Sequence, residues 1–182
     1  MGRIYTELSQ EHIDFIESQQ LFFTGTAPRE GRINISPKGM DTLRVLDART
    51  VGYLDLTGFG AETAAHVRED GRLTFMFCSF EGRPLILRLY GRGELRRPSD
   101  EGWEALSRRF PDHPGGRQVV LLHVESVQTS CGFGVPLMDY RGEREEYGRW
   151  AAKKGEEGLL QYQRDKNRES IDGLPTGLGE AG

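Results

Sequence analysis

Arg32-Ile33-Asn34-Ile35-Ser36-Pro37-Lys38-Gly39 alternates apolar and polar side chains up to a proline and a glycine. An extended chain sends successive side chains to opposite faces, so Ile33 and Ile35 share one face and Asn34 and Ser36 the other. Just upstream, Leu21-Phe22-Phe23-Thr24-Gly25-Thr26 reads as a strand that ends at Pro28 and the turn Arg29-Glu30-Gly31. The two segments predict a β-hairpin, with a strand of two unlike faces as its second arm.

Outward from this hairpin, residues 43–46, 50–56, 73–80, 85–95 and 119–127 are further strand candidates. Residues 6–20 predict an amphipathic helix, with Ser9 as N-cap and Ile13 and Ile16 on one face. A second helix over 61–69 follows a glycine-rich turn and stops at Asp70-Gly71. A third over 99–110 carries Trp103, Leu106 and Phe110 at helical spacing. Many strands with few helices predict a mainly β fold, an antiparallel barrel with flanking helices rather than a βαβ sheet.

Apolar residues make up 36% of the 182 residues and charged residues 29%, enough for one ordinary domain with a heavily charged surface. After Tyr140 the composition shifts, dividing the chain into a barrel domain over 1–140 and an extension over 141–182. Within the extension, 143–166 is rich in Glu, Arg and Lys, with Trp150, Leu159, Leu160 and Tyr162 at helical spacing and Gly155 and Gly158 able to break it. Those apolar side chains need cover, from the barrel or from a partner subunit. The net charge of −4 argues against a nucleic-acid partner. No apolar run approaches the roughly 20 residues needed to span a bilayer, and the N-terminus lacks a secretion pattern. Cys78 and Cys131 are the two cysteines and have no CxxC spacing, so neither a disulfide framework nor a cysteine zinc site is expected. The expected location is the cytoplasm, with no membrane partner.

Three segments carry candidate chemistry. Asn34, Ser36 and Lys38 put an amide, a hydroxyl and an ammonium in line, suited to a polar ring edge or a phosphate; a solvent-facing strand edge fits the same pattern. Thr57-Gly58-Phe59-Gly60-Ala61-Glu62-Thr63 joins a strand to a helix start, where free N–H groups favour an anion and Thr57 or Thr63 adds hydroxyls. It is an incomplete dinucleotide fingerprint, and a plain tight turn explains it equally well. Thr129-Ser130-Cys131-Gly132-Phe133-Gly134 combines small polar groups, glycines and an aromatic; with no histidine nearby in sequence, Cys131 reads as a spectator thiol. The four histidines, His12, His66, His113 and His123, match no metal-binding spacing, so no metal site is expected. No catalytic residue stands out, which suits a protein whose cofactor does the chemistry.

Taken together these segments resemble the pyridoxamine 5'-phosphate oxidase-related family of FMN-binding split barrels. The resemblance spans roughly residues 10–140. It is carried by Asn34-Ile35-Ser36-Pro37-Lys38-Gly39, by Tyr53-Leu54-Asp55-Leu56-Thr57-Gly58 leading into the Ala61 helix, by Arg72-Leu73-Thr74-Phe75-Met76-Phe77, and by Leu87-Arg88-Leu89-Tyr90-Gly91-Arg92-Gly93-Glu94, which matches the family's strand ending in a Gly-x-Gly/Ala-Glu turn. It implies a six-stranded antiparallel split barrel that forms a homodimer with FMN in clefts between subunits. It further implies that Asn34, Ser36, Lys38 and Gly39 line the flavin ring, that Leu56, Thr57, Gly58 and Thr63 approach the phosphate, and that Arg88 faces the flavin. The activity implied is flavin-dependent oxidation or reduction of an unknown small molecule. F420 or haem in place of FMN, or a non-catalytic flavin-sensing module, are the alternatives.

Two departures set the chain apart from the vitamin B6 oxidases proper. Where those carry adjacent basic residues at the helix start, this chain has Glu62-Thr63, and a carboxylate beside a phosphate is unfavourable. Either Glu62 points away, with Thr63, Lys38 or Arg44 holding the phosphate, or the site takes another ligand. The oxidase's C-terminal tryptophan and Arg-x-His run are also missing, and residues 162–178 stand in their place. Vitamin B6 oxidation itself is therefore not expected.

Overall fold

The computed structural model describes residues 2–179; Met1 of the barrel domain and the last three residues of the extension lie outside the described residues. Eight strands and four helices occur among them, in the order β1 (Arg3–Tyr5), α1 (Gln10–Glu17), β2 (Phe22–Thr26), β3 (Asn34–Lys38), β4 (Leu43–Asp47), β5 (Thr50–Leu56), α2 (Glu62–Glu69), β6 (Arg72–Cys78), β7 (Ile86–Arg96), α3 (Trp103–Ser107), β8 (Gly116–Ser130) and α4 (Glu146–Lys166). All the strands join one antiparallel sheet in the order β3-β2-β6-β7-β8-β5-β4, with β1 added beside β8. The fold is the mainly β split barrel with flanking helices that the sequence predicts. Its strand count exceeds the six implied by the resemblance, because β4 is a separate short arm and β1 adds a pairing that three residues of polar and apolar mixture do not advertise.

The sheet curls. β2 and β5 are well separated in sheet order, yet the Phe22 and Tyr53 rings pack edge to face at 5.6 Å. Inside the curl, Phe22, Tyr53, Leu73, Phe75, Phe77, Leu87, Leu89, Val120 and Leu122 form the main core. Each fully buried large side chain there contributes about 1.5–3 kcal/mol relative to exposure. α1 caps one side: the Ser9 hydroxyl accepts from the His12 N–H and the His12 ring accepts from the Ser9 N–H, a reciprocal cap that satisfies two otherwise orphaned donors.

Three local expectations change. The strand carrying Asn34 and Ser36 does not stop at Pro37 but runs on to Lys38. β3 is an edge strand paired only with β2, so the missing proline N–H costs no ladder bond. The Gly91-Arg92-Gly93-Glu94 segment is not a strand-ending turn: β7 continues through it to Arg96, with a bulge at Tyr90/Gly91. The helix predicted over 99–110 shrinks to Trp103–Ser107, starting from Gly102 in a left-handed conformation. Even so, Trp103, Leu106 and Phe110 pack together over Leu54, Val119 and Leu121 as a second, smaller core.

α4 changes direction at Gly155, whose φ of 65° and ψ of 174° are not helical. Among the described residues, no helix is long and apolar enough to cross a membrane.

Candidate functional site

The split between the two ends of the sheet decides where polar side chains gather. On β2, Phe22, Thr24 and Thr26 point inward, and their cross-strand partners on β3 are Lys38, Ser36 and Asn34. Those three therefore share the inward face, and with no further strand beyond β3 they look across the split toward β5 and α2. There they line a cavity of about 150 Å³ with Asp55, Leu56, the loop Gly58-Phe59-Gly60-Ala61, Glu62, Thr63, Ala64 and Arg117. Lys38 Nζ lies 3.6 Å from Asp55 Oδ1 and 5.3 Å from the centre of the Tyr53 ring, which places the ammonium at the cavity floor.

Below it sits an ion pair. Arg117 Nε donates to Asp55 Oδ2 at 2.8 Å, and both side chains are buried. Gln118 Nε2 donates to the same oxygen at 2.9 Å. Burial works against the Asp55 carboxylate, but Arg117, Lys38 and these hydrogen bonds outweigh it and hold its pKa below the usual carboxylate range. The neighbouring Tyr53 hydroxyl is pushed well above its usual range, first by burial and then by the Asp55 charge. Arg117 is otherwise committed: it donates to the Gly60 carbonyl and to Asn167 Oδ1. Lys38 is thus the cavity's adaptable cation.

A polar chain runs back from the cavity wall. Ser36 Oγ donates to Asn34 Oδ1, and Asn34 Nδ2 donates to Thr26 Oγ1 and Thr63 Oγ1 at 3.2 and 3.3 Å. Thr26 Oγ1 lies 2.9 Å from Nδ1 of the buried His66. The other ring nitrogen, Nε2, lies 4.0 Å from Glu62 Oε2.

α2 begins at Glu62 with Ala61 as N-cap and no side chain capping it, so its first N–H groups lack intrahelical partners. A Cβ added at Gly58 would meet nothing within 4 Å, leaving open space over the loop. Free amides, the Thr63 and Ser36 hydroxyls and Lys38 converge on one small cavity, a donor set for a phosphate-sized anion.

Of the residues singled out in the sequence, Asn34, Ser36, Lys38, Leu56, Gly58 and Thr63 come together here. Gly39 instead lines a separate cleft of about 470 Å³ beside α1, with Phe22 and Tyr140. Thr57 is buried and serves the scaffold: its hydroxyl donates to the Gly115 carbonyl and accepts from Gln163. Arg88 lies between the buried Leu87 and Leu89, so it projects from the opposite face of the sheet, where it donates to Ser130 Oγ. Arg44 is held by Asp41 and the Arg109 carbonyl and does not line the cavity.

Asp55, Arg117 and Asn167 are the residues missed. The signal was a carboxylate inside the apolar run 50–56 and an Arg-Gln pair at the start of another, on strands that pair with a bulge at Arg117. Asn167 gave none, since it reaches the site from 50 residues beyond Arg117.

Asn167 opens a segment that lies on the chain's own barrel. Its Nδ2 donates to the carbonyls of Gly58 and Gly60, the Ile171 N–H donates to both Glu62 carboxylate oxygens, and Leu178 packs on Ala61 and Ala64. This contact accounts for the acidic residue at the head of α2.

The profile of the pyridoxamine 5'-phosphate oxidase family matches residues 8–131. The chain belongs to this family. A family relative from Aspergillus flavus, the pyridoxamine 5'-phosphate oxidase family protein ustO, is 38% identical over 195 aligned positions, covering 96% of this chain and 78% of the relative. Among solved structures, HupZ from Group A Streptococcus aligns with a TM-score of 0.52 at 25% identity, over 66% of this chain and 91% of that one. A putative pyridoxamine 5'-phosphate oxidase from Lactobacillus delbrueckii aligns with a TM-score of 0.53 at 21% identity, over 68% and 94% of the two chains. At those identities the two structures speak to the fold. No cluster of three or more histidine, cysteine, aspartate or glutamate side chains able to hold a metal ion occurs among the described residues.

Proposed function

We propose that the chain is a cytoplasmic FMN-binding oxidoreductase of this family, acting as a homodimer on a small molecule. The observation that carries the reading is the cavity at the head of α2, where Lys38, Ser36, Thr63 and uncapped helix amides converge. These groups fit a phosphate monoester: the amides supply directed donors, and Lys38 a mobile charge that can leave Asp55 for the ligand. The cavity is too small for a tricyclic ring, so these residues would hold the phosphate alone; the sheet's outer face is left to a partner.

That face supports the dimer. Ile35 and Ile33 are largely exposed, and Ile35 continues a row through Gly25 and Thr74 to Tyr90. The next row runs Pro37-Phe23-Met76-Arg88-Gln128. An apolar sheet face with an arginine in its middle suits a self-complementary interface. There Arg88 would serve the partner's site rather than its own.

When bound, FMN supplies hydride or single-electron transfer. The chain's contribution is to fix the phosphate, hold Lys38 over the cavity floor and keep Asp55 ionised beneath it. The purified protein should be yellow, with absorption near 370 and 450 nm, roughly the bands of any bound flavin. A colourless protein that ignores added FMN would overturn the reading; a Soret band or an F420 spectrum would redirect it to the other cofactors. Anaerobic bleaching by NAD(P)H separates an oxidoreductase from a sensing module.

A further inference from the structure

Glu62 and the C-terminal segment are tied together directly beside the anion site. Both Glu62 carboxylate oxygens accept the Ile171 N–H, at 3.0 and 3.2 Å, and Glu62 is among the residues that line the cavity. The buried His66 Nε2 faces the same group from inside the barrel. Asn167 and Leu178 seat the segment on the cavity wall, and further contacts seat it away from the cavity. Asp172 accepts from the Arg32 N–H at 2.7 Å and from its guanidinium. Arg97 donates to the carbonyls of Thr176 and Gly177 at 2.7 Å. Gly177 has a φ of +74°, and a Cβ there would overlap the Arg68 and Arg97 guanidiniums.

Glu62 is also the first residue of α2. An acidic side chain at that position is drawn to the free helix amides and competes with any anion for them. It is kept from doing so by a backbone N–H contributed from 109 residues away. We propose that residues 167–179 act as a strap that positions Glu62, leaving the α2 amides open to the ligand's phosphate. With the strap seated, the carboxylate is satisfied outside the anion position. With the strap released, the carboxylate turns onto the amides and repels the phosphate. This inference rests on the phosphate reading of the α2 cavity. It assigns Glu62 as a positioning residue and the strap as its partner.

The experiment is FMN titration, followed by flavin fluorescence, on the full-length protein, with inorganic phosphate as competitor. Gly177→Val unseats the strap by straining a backbone held at a φ of +74° and displacing Arg97 from the Thr176 and Gly177 carbonyls, and Asp172→Ala by loss of the Arg32 clamp. Strap release is read independently as faster tryptic cleavage after Arg168, inside the strap. Both variants should bind FMN at least about tenfold more weakly, the scale of an unscreened like charge beside a phosphate. Adding Glu62→Gln to either should restore affinity to within about threefold, because the amide keeps the size and drops the charge. Released variants that bind FMN as the wild type does would overturn the proposal, and so would weak binding that Glu62→Gln fails to rescue, since a merely structural strap predicts no rescue. Wild-type protein that binds neither FMN nor phosphate would instead overturn the cofactor reading and the strap with it. Asp172→Ala, which only shortens one side chain, keeps the test open should Gly177→Val not fold.

Discussion

Asp55 and Arg117 form a buried ion pair at 2.8 Å between β5 and β8, and the floor of the candidate site rests on it. Two charges out of water are tolerated because each is well hydrogen-bonded: Asp55 by Arg117 and Gln118, Arg117 by Asp55, Gly60 and Asn167. Removing one partner strands the other. Asp55→Ala should cost about 3–5 kcal/mol of stability, measured by urea denaturation at neutral pH.

The same pair sets an acid limit. The folded-state pKa of Asp55 lies below its unfolded value. Its contribution is therefore fully present above the ordinary carboxylate pKa of about 3.9 and is lost as pH falls through the lower folded value. Melting temperature should drop across that window in the wild type. In Asp55→Asn the curve should start lower at neutral pH and be flatter below about pH 4; equal slopes would show that other carboxylates carry the acid sensitivity.

Lys38 and Thr63 should matter to flavin retention, and Arg44 should not. Lys38→Ala is expected to weaken FMN binding by about 1–3 kcal/mol, the scale of a charged hydrogen bond. Arg44 is taken up by Asp41 and the Arg109 carbonyl, so Arg44→Ala leaves the binding constant unchanged. Isothermal titration distinguishes the three positions.

Gly91 is required by close approach rather than by flexibility. A Cβ there would overlap the His123 carbonyl oxygen on β8, at the bulge where β7 shifts register. Backbone cannot yield as a side-chain tip can, so Gly91→Ala should destabilise by at least about 1–3 kcal/mol. A thermal melt reads this, with Gly134→Ala as control, since a Cβ there meets nothing within 4 Å.

The dimer prediction is read from oligomeric state. Ile35→Glu places a charge on the exposed edge strand of the outer sheet face and should shift the protein from dimer to monomer in analytical ultracentrifugation, with loss of bound flavin. A monomeric wild type would remove the interface role given to Ile35 and Arg88.

Much of this protein is legible in local pattern. The alternation over residues 32–36, the Ser9 cap and the Asp70-Gly71 stop each report on geometry within a few residues, and the structure places a strand, a capped helix and a helix end there. The misreadings are also local in origin. Pro37 looks like a strand terminus, and ends nothing because β3 is an edge. Gly91-Arg92-Gly93 looks like a turn, and is a bulge because β8 needs close approach.

Asn34, Ser36, Lys38 and Thr63 stand out in short polar patterns, and the strand period alone puts the first three on one face. That they meet Asp55, Arg117 and Glu62 around one cavity follows from the curl of the sheet, which brings β3 against β5 although they lie far apart in sheet order. No local pattern encodes that closure, since it arises from packing Phe22 and Phe75 against Tyr53 across the barrel. Arg88 shows the converse: its residue type suits a ligand, but its parity on β7 sends it to the other face. The hairpin that announces the fold is thus set by side-chain alternation, a property of neighbours. The site it helps to build is set by burial, which draws Asp55, Arg117 and Asn167 together from three distant parts of the chain.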